Sequence, residues 1–414
     1  MPEPRRLPLW PRPLWSGRVL ALLGILLVAF NLRSAVAALS PIFSEVRLDF
    51  SLSSVEIGVL GMLPPVCFAV FGIVAPVFTR RMSLEAVMLL SLVAILTGNL
   101  LRGVSGSFTM LAATSALAFA GMGVGNVLLP PLVKRYFPRR IGLMTALYAT
   151  VMSVSTLLPP LVAVPVADGA GWRISVAMWA VLSLLAILPW LGILIARRPS
   201  ARQPDSVIEE PEPELLGRIW HSPIAWSLAV VFAVSAINAY ALFAWLPEVL
   251  HDMAGVEGAG GGVLLALYSA MGIPVGLLIP VLATRMKNIG WLIYTGVAFW
   301  LSGYLGLIFW PAAATWVWVS FAGLGELMFP LCLVMINLRS RTHQGAVALS
   351  GFSQGIGYTV AAFGPLMMGV LHQLTGAWIG AIIFLIGTAL ACALAGVVLA
   401  RPRMLEDQVD RRKG

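Results

Sequence analysis

Charge is scarce in this sequence. Only 11% of its 414 residues are Asp, Glu, Lys or Arg, while 59% are apolar, against roughly a quarter charged in soluble domains. That excludes an ordinary soluble protein, and it leaves almost nothing over for a separate soluble domain. Cysteine is equally thin: Cys67, Cys332 and Cys392 all fall inside apolar runs, where they read as small core hydrophobes and exclude a disulfide framework. There is no Walker sequence, no Cys/His metal set and no nucleophile elbow. Their absence argues against an ATP-driven pump or a membrane hydrolase, so no enzyme activity, cofactor or metal is expected. Strict alternation of apolar and polar residues is missing too, which excludes a β-barrel.

What is present is a series of apolar runs near 18-42, 55-78, 84-103, 108-132, 142-164, 174-196, 224-249, 262-284, 289-310, 314-338, 346-371 and 377-400. Each has about the 20 residues a helix needs to cross a bilayer. The expected fold is therefore all-α, with twelve transmembrane helices. The run after the Pro- and Arg-rich residues 1-17 is too long for a signal-peptide core and reads as a retained first helix.

A net charge of +9 would point to nucleic acid only if the basic residues shared a solvated face. Here they sort by loop. With the N-terminus inside, 23 of the 27 Lys and Arg fall on the cytoplasmic side. Arg47, Arg102 and Arg173 fall outside, and Arg33 lies within the first helix. This bias predicts cytoplasmic termini in a cell inner membrane and no nucleic-acid partner. The expected division is a tail at 1-17, a six-helix bundle at 18-196, a cytoplasmic linker at 197-221, a second bundle at 222-400 and a tail at 401-414.

The two halves echo each other. Gly123, Gly125 and Pro130 in helix 4 match the spacing of Gly323, Gly325 and Pro330 in helix 10; Pro76 to Arg80 ends helix 2 much as Pro280 to Arg285 ends helix 8; Asn31 precedes Pro41 as Asn238 precedes Pro247. Two pseudo-symmetric six-helix bundles are the architecture of a rocking transporter with its substrate held at their interface. The glycine triplets Gly121, Gly123, Gly125 and Gly351, Gly355, Gly357 lie within spans, where they permit close helix contact rather than cradling phosphate.

An ionisable side chain inside a span costs roughly 2.5 to 3.5 kcal/mol on insertion scales, and two stand well inside: Arg33 in helix 1 and Glu326 in helix 10. Arg33 presents a planar fork suited to small anions. Its readings are a substrate clamp, an ion pair with Glu326, or snorkelling to the outer surface. Glu326 reads as a proton-coupling site, the partner of Arg33, or polar lining. Further substrate-binding candidates are Asn126, Tyr148, Asn238, Tyr240, Trp245, Gln354 and Tyr358, the last two one turn apart on one face. The alternative for the aromatic residues is interhelical packing, or a belt position for Trp245. Asn31, Asn126 and Asn238 have the alternative of bonding backbone at helix breaks.

The sequence resembles the major facilitator superfamily, and within it the cyanate porters and 2-nitroimidazole exporters. The residues that carry the resemblance include Asn31-Leu32-Arg33, Gly125-Asn126-Val127-Leu128-Leu129-Pro130, Met144-Thr145, Trp245-Leu246-Pro247, Gln354, Gly357-Tyr358 and Gly364-Pro365. The resemblance implies a secondary transporter working by alternating access, with Arg33 facing an anion and Asn126, Tyr240, Gln354 and Tyr358 around the cavity. The sequence departs from the superfamily at Thr79-Arg80-Arg81-Met82-Ser83, which lacks the usual acidic residue and glycine, and at Leu158-Pro159-Pro160, which lacks the drug-antiporter glycines. Glu326 also stands where the cyanate porters are more often uncharged.

The expectation is thus a monomeric transporter of a small, anionic organic or cyanate-like solute, with lipid as its surroundings and protons as the candidate coupling ion. The alternatives are an exporter of small nitroaromatic or drug-like compounds and a non-transporting membrane sensor or scaffold.

Overall fold

The computed structural model of the protein describes residues 18–196, 219–286, 288–401 and 404–410. The expected N-terminal tail and nearly all of the expected linker lie outside these residues. Within them are twelve helical spans long and apolar enough to cross a membrane. Numbered in chain order, they are span 1 (Val19–Asp49), span 2 (Ser54–Thr79), span 3 (Leu84–Arg102), span 4 (Phe108–Tyr136), span 5 (Ile141–Ala170), span 6 (Trp172–Ala196), span 7 (Pro223–Ala254), span 8 (Gly260–Arg285), span 9 (Gly290–Phe309), span 10 (Thr315–Leu338), span 11 (Gln344–Thr375) and span 12 (Ile379–Leu399). The first and last spans begin and end on one face of the bilayer, called here the terminal side; the opposite face is the far side.

Local chemistry fixes where the spans begin. Ser53 accepts from the Glu56 amide while the Glu56 carboxylate accepts from the Ser53 amide, a complete capping box. The Ser83, Ser107, Ser222 and Thr342 side chains cap spans 3, 4, 7 and 11 in the same sense. These hydroxyls satisfy backbone amides that the first helical turn leaves without a partner. Span 7 ends on Gly255 in the left-handed region, φ 66°, a conformation glycine adopts without a Cβ clash.

Five spans are broken, span 6 among them at Met178 and Trp179, between Ala177 and Ala180. Span 1 passes through a short tight turn at Ser40–Ile42, span 8 is interrupted at Met271, span 10 between Gly325 and Met328, and span 11 at Ala362. A helix can break at membrane depth only where protein or water meets the freed backbone groups. The break in span 10 falls on Glu326, and the backbone amide of Glu326 turns back onto the carbonyls of Gly323 and Leu324.

The first six spans and the last six carry the same internal fastening. In span 1, Asn31 donates to the Leu27 carbonyl (2.8 Å) and accepts from Ser183 in span 6 (2.6 Å). In span 7, Asn238 donates to the Val234 carbonyl (2.7 Å) and to Thr388 in span 12 (3.2 Å). Both asparagines bond the carbonyl one turn back and a hydroxyl on the sixth span of their own half. The halves meet on the far side. Gly58 and Gly61 of span 2 lie against Pro365 of span 11, and Gly262 of span 8 against Pro160 of span 5. A Cβ at Gly61 would approach both the Ala244 and Pro365 Cβ atoms to 2.7 Å, so small residues set how closely the halves close. Arg47 of span 1 pairs with Glu248 of span 7 (2.9 Å), and Ser54 of span 2 bonds His372 of span 11 (3.1 Å). On the terminal side, Thr145 and Ala149 of span 5 and Gly351 of span 11 are exposed. The molecule is closed on its far side.

Candidate functional site

Arg33 projects from span 1 between the two halves. Its guanidinium carbon lies 5.5 Å from the centre of the Phe68 ring of span 2. It interacts with the Tyr240 and Tyr358 side chains of spans 7 and 11. The three rings also face one another. Phe68 and Tyr358 are 5.8 Å apart edge to face, Phe68 and Tyr240 6.4 Å, and Tyr240 and Tyr358 6.4 Å. The result is an aromatic box around one cation, two walls of which come from the opposite half. Behind Tyr358 stand Phe232 (5.0 Å) and, next to that, Phe329 (5.7 Å).

Among the described residues Arg33 forms no ion pair. Its positive charge cannot be discharged by loss of a proton in a protein, and the electron-rich ring face recovers only part of what water would give. A guanidinium with hydroxyl neighbours and no carboxylate is equipped to receive a small anion in the fork of its N–H groups.

Glu326 is held elsewhere. Its carboxylate accepts from Ser235 of span 7 (2.7 Å) and Tyr268 of span 8 (2.9 Å). Beside it, Tyr304 of span 9 donates to Asn238 (2.5 Å). These partners all belong to the last six spans, so Glu326 sits inside that half, bonded by neutral hydroxyls. The ion pair between Arg33 and Glu326 that the sequence left open is not formed here; each side chain has its own set of partners in a different place. A lone carboxylate at a helix break, surrounded by donors, is able to take up and release a proton.

The other sequence candidates divide. Gln354 is half-buried on the same face as Tyr358 and donates to Ser350 (2.7 Å). Asn126 is half-buried in span 4, with its amide nitrogen lacking a partner among the described residues, at the position that matches Glu326 in the other half. Tyr148 is half-buried on span 5 and packs against the core. Asn31 and Asn238 are fully buried in the fastenings of their own halves. Trp245 is fully buried and donates to the Pro365 carbonyl (2.8 Å), which makes it part of the packing between spans 7 and 11. Arg102, which the loop count places outside, is 0% exposed: it is drawn under the far-side surface instead of reaching water. Phe68, Ser235 and Tyr268 were not singled out in the sequence. A phenylalanine in an apolar run carries no periodicity that separates a box wall from lipid-facing or core positions.

The comparisons with known proteins agree with the twelve-span fold. The family model of the Major Facilitator Superfamily matches residues 22–357. An uncharacterized transporter, YycB, of Bacillus subtilis (strain 168) is 33% identical over 94% of this chain and 95% of its own length. The 2-nitroimidazole transporter of Escherichia coli (strain K12) is 31% identical over 88% of this chain and 91% of its own. The cyanate transport protein CynX of the same organism is 27% identical, covering 86% and 90%. Among solved structures, a bacterial homologue of the human lysosomal transporter Spinster, inward-facing and occupied, superposes with a TM-score of 0.74 at 15% identity, covering 96% of this chain and 99% of that one. Its likeness is one of fold. With twelve spans, a match over most of its length and relatives named as transporters, this chain belongs to the Major Facilitator Superfamily and is a membrane transporter, not an enzyme.

Proposed function

We propose that the protein is a secondary transporter of a small anionic solute, which Arg33 binds between the two halves as they rock by alternating access. The single observation that carries this is the Arg33 box: a permanent cation at mid-membrane, walled by Phe68, Tyr240 and Tyr358 from both halves, with no carboxylate partner among the described residues. A ligand that bridges span 1 to spans 7 and 11 interacts with both halves at once, which is what a rocking mechanism requires of its substrate. Asn126, whose side-chain nitrogen lacks a partner among the described residues, and Gln354, one turn from Tyr358, are the candidates for additional polar contacts. The positive-inside count supports a cell inner membrane with both termini cytoplasmic, so the closed far side is the outer one. The two matching sets of six spans are the rocking bodies, and the transporter works as a monomer.

Glu326 is the proton site in this reading. Its proton load alters the hydrogen bonds it makes with Ser235 and Tyr268, and so couples a charge to the packing of spans 7, 8 and 10.

A second reading is favoured by the ring cluster itself. Phe68, Tyr240, Tyr358, Phe232 and Phe329 would stack a flat nitroaromatic solute as readily as they enclose a carboxylate, and a relative is named for 2-nitroimidazole. Proteoliposome uptake separates the two. With labelled acetate, benzoate, nitrite and cyanate as probes, the anion reading requires saturable uptake of at least one and its loss in Arg33→Gln. Saturable uptake of 2-nitroimidazole alone, indifferent to Arg33→Gln, overturns it.

A further inference from the structure

Arg102 ends span 3, and its charge is not answered by the protein. It is 0% exposed, and its guanidinium carbon lies 5.8 Å from the Phe119 ring. One terminal nitrogen donates weakly to the Ala35 carbonyl (3.3 Å) and to Asn99 (3.5 Å). Its Nε and its other terminal nitrogen have no hydrogen-bond partner. No ion pair involves it among the described residues. A buried cation left in this condition is among the most unfavourable arrangements a protein can hold, so the arrangement calls for something to fill it.

The surroundings indicate what. Arg102 lines a cavity of about 30 Å³ between the halves on the far side, room for a small group no larger than about two waters. Ser115 and Ser40 line it as well; they are 1% and 6% exposed, and both hydroxyls lack a partner. Three polar side chains with unpartnered atoms, each more than nine-tenths buried, thus line one space. One is a fork of N–H donors and two are hydroxyls. No acidic residue lines the cavity. Phe119 and Tyr240 supply apolar walls, and Tyr240 is the same ring that faces Arg33. Serine 40 follows Arg33 along span 1 by seven residues, about 10 Å further toward the far side at helical rise.

We propose that Arg102, Ser115 and Ser40 form a second binding site, for a small monovalent anion, on the far side of the Arg33 box. The hydroxyls donate to the anion and the guanidinium fork neutralises it, which also satisfies Nε and the free terminal nitrogen of Arg102. Tyr240 lies between the two sites, so an anion passing from one to the other exchanges one arginine for the next without meeting a carboxylate. Binding at Arg102 stands apart from the function proposed above; that the bound anion is the transported solute rests on that reading.

Bromide is the probe, titrated against the full chain in lipid nanodiscs at constant ionic strength, with gluconate as the bulky balancing anion and thermal unfolding as the readout. Wild type is expected to gain stability with bromide. Arg102→Gln should raise the half-saturating concentration about tenfold or abolish the effect, equivalent to the loss of one charge-assisted contact, while Arg33→Gln should retain it. If Arg102→Gln does not fold, Ser115→Ala combined with Ser40→Ala serves, with a rise of several-fold expected. A bromide effect that is absent from wild type, unchanged in these variants, or lost only in Arg33→Gln overturns the proposal. The last result would assign all anion binding to the Arg33 box, whereas loss of transport in Arg33→Gln with bromide stabilisation intact would leave both sites standing.

Discussion

The guanidinium of Arg33 lies 5.5 Å from the centre of the Phe68 ring, while Tyr358 stands 5.8 Å from the same ring on the other side of the interface. A residue of span 1, one of span 2 and one of span 11 therefore share a single site that belongs to neither half. Tyr358→Phe keeps the ring and removes the hydroxyl. It should weaken solute binding by roughly 1 kcal/mol, about fivefold, whereas Tyr358→Ala opens the wall and should cost more. Isothermal titration with the solute identified by uptake checks both. Equal affinity in wild type and Tyr358→Ala would remove the span 11 wall from the site.

Glu326 is bonded by Ser235 and Tyr268 at the break of span 10. Glu326→Gln preserves the size of the group and removes the proton site. Uptake driven by an imposed pH gradient should become independent of that gradient, while exchange of solute for solute persists. Unchanged proton dependence in Glu326→Gln would dismiss Glu326 as the coupling residue.

Closure of the far side depends on the absence of a Cβ at Gly61 and on the Arg47–Glu248 pair. Gly61→Val should prevent the halves from meeting and trap the transporter open on that side, with net transport lost and far-side labelling of a cysteine placed at Ala244 increased. Arg47→Ala should act in the same direction but weakly, since a partly exposed ion pair contributes about 0.5 kcal/mol. Unchanged labelling in Gly61→Val would mean that this contact does not limit closure.

The short helix Leu405–Asp410 docks on the turn before span 11. The Glu406 carboxylate accepts from the Arg341 amide (2.9 Å), the Thr342 amide (3.0 Å) and the Thr342 hydroxyl (3.1 Å). Partial burial works to raise its pKa, but these donors prevail and hold it below the ordinary carboxylate value. A carboxyl group whose pKa is lower in the folded state stabilises that state above its unfolded pKa, and the contribution is lost as pH falls through the folded value. Docking should therefore be intact at neutral pH and weaken below about pH 4. Limited proteolysis of the C-terminal segment should speed up there, and Glu406→Gln should cleave at the fast rate already at pH 7. Cleavage of Glu406→Gln at the wild-type rate would contradict this.

Much of the fold was legible because lipid leaves few alternatives. A dozen apolar runs of sufficient length have to be helices, and the observed spans begin and end within a few residues of them except where the helices run on, as in span 1 to Asp49 and span 5 to Ala170. The duplication was legible too, and Asn31 and Asn238 are its clearest trace, since each ties the first span of its half to the sixth. The same residues show the limit. An asparagine that lines a cavity and one that fastens two helices read alike in a sequence, and Asn238 bonds Val234 and Thr388 as a fastening residue does. Arg33 and Glu326 were visible because charge in an apolar run is costly. Their separation was not, because which face of span 10 turns inward depends on the break at Gly325 to Met328. Arg102 was hidden by its place at the end of a run, where a loop arginine is the ordinary expectation, and only its burial distinguishes it.

The central claim is that Arg33 binds the solute's negative charge. Its most direct test is a thermal-shift panel of formate, acetate, benzoate, nitrite and cyanate on purified wild type and Arg33→Gln. At least one anion should stabilise wild type, with its half-saturating concentration at least tenfold higher in Arg33→Gln, about 1.4 kcal/mol of lost binding. An anion that stabilises both proteins at the same concentrations would contradict the account.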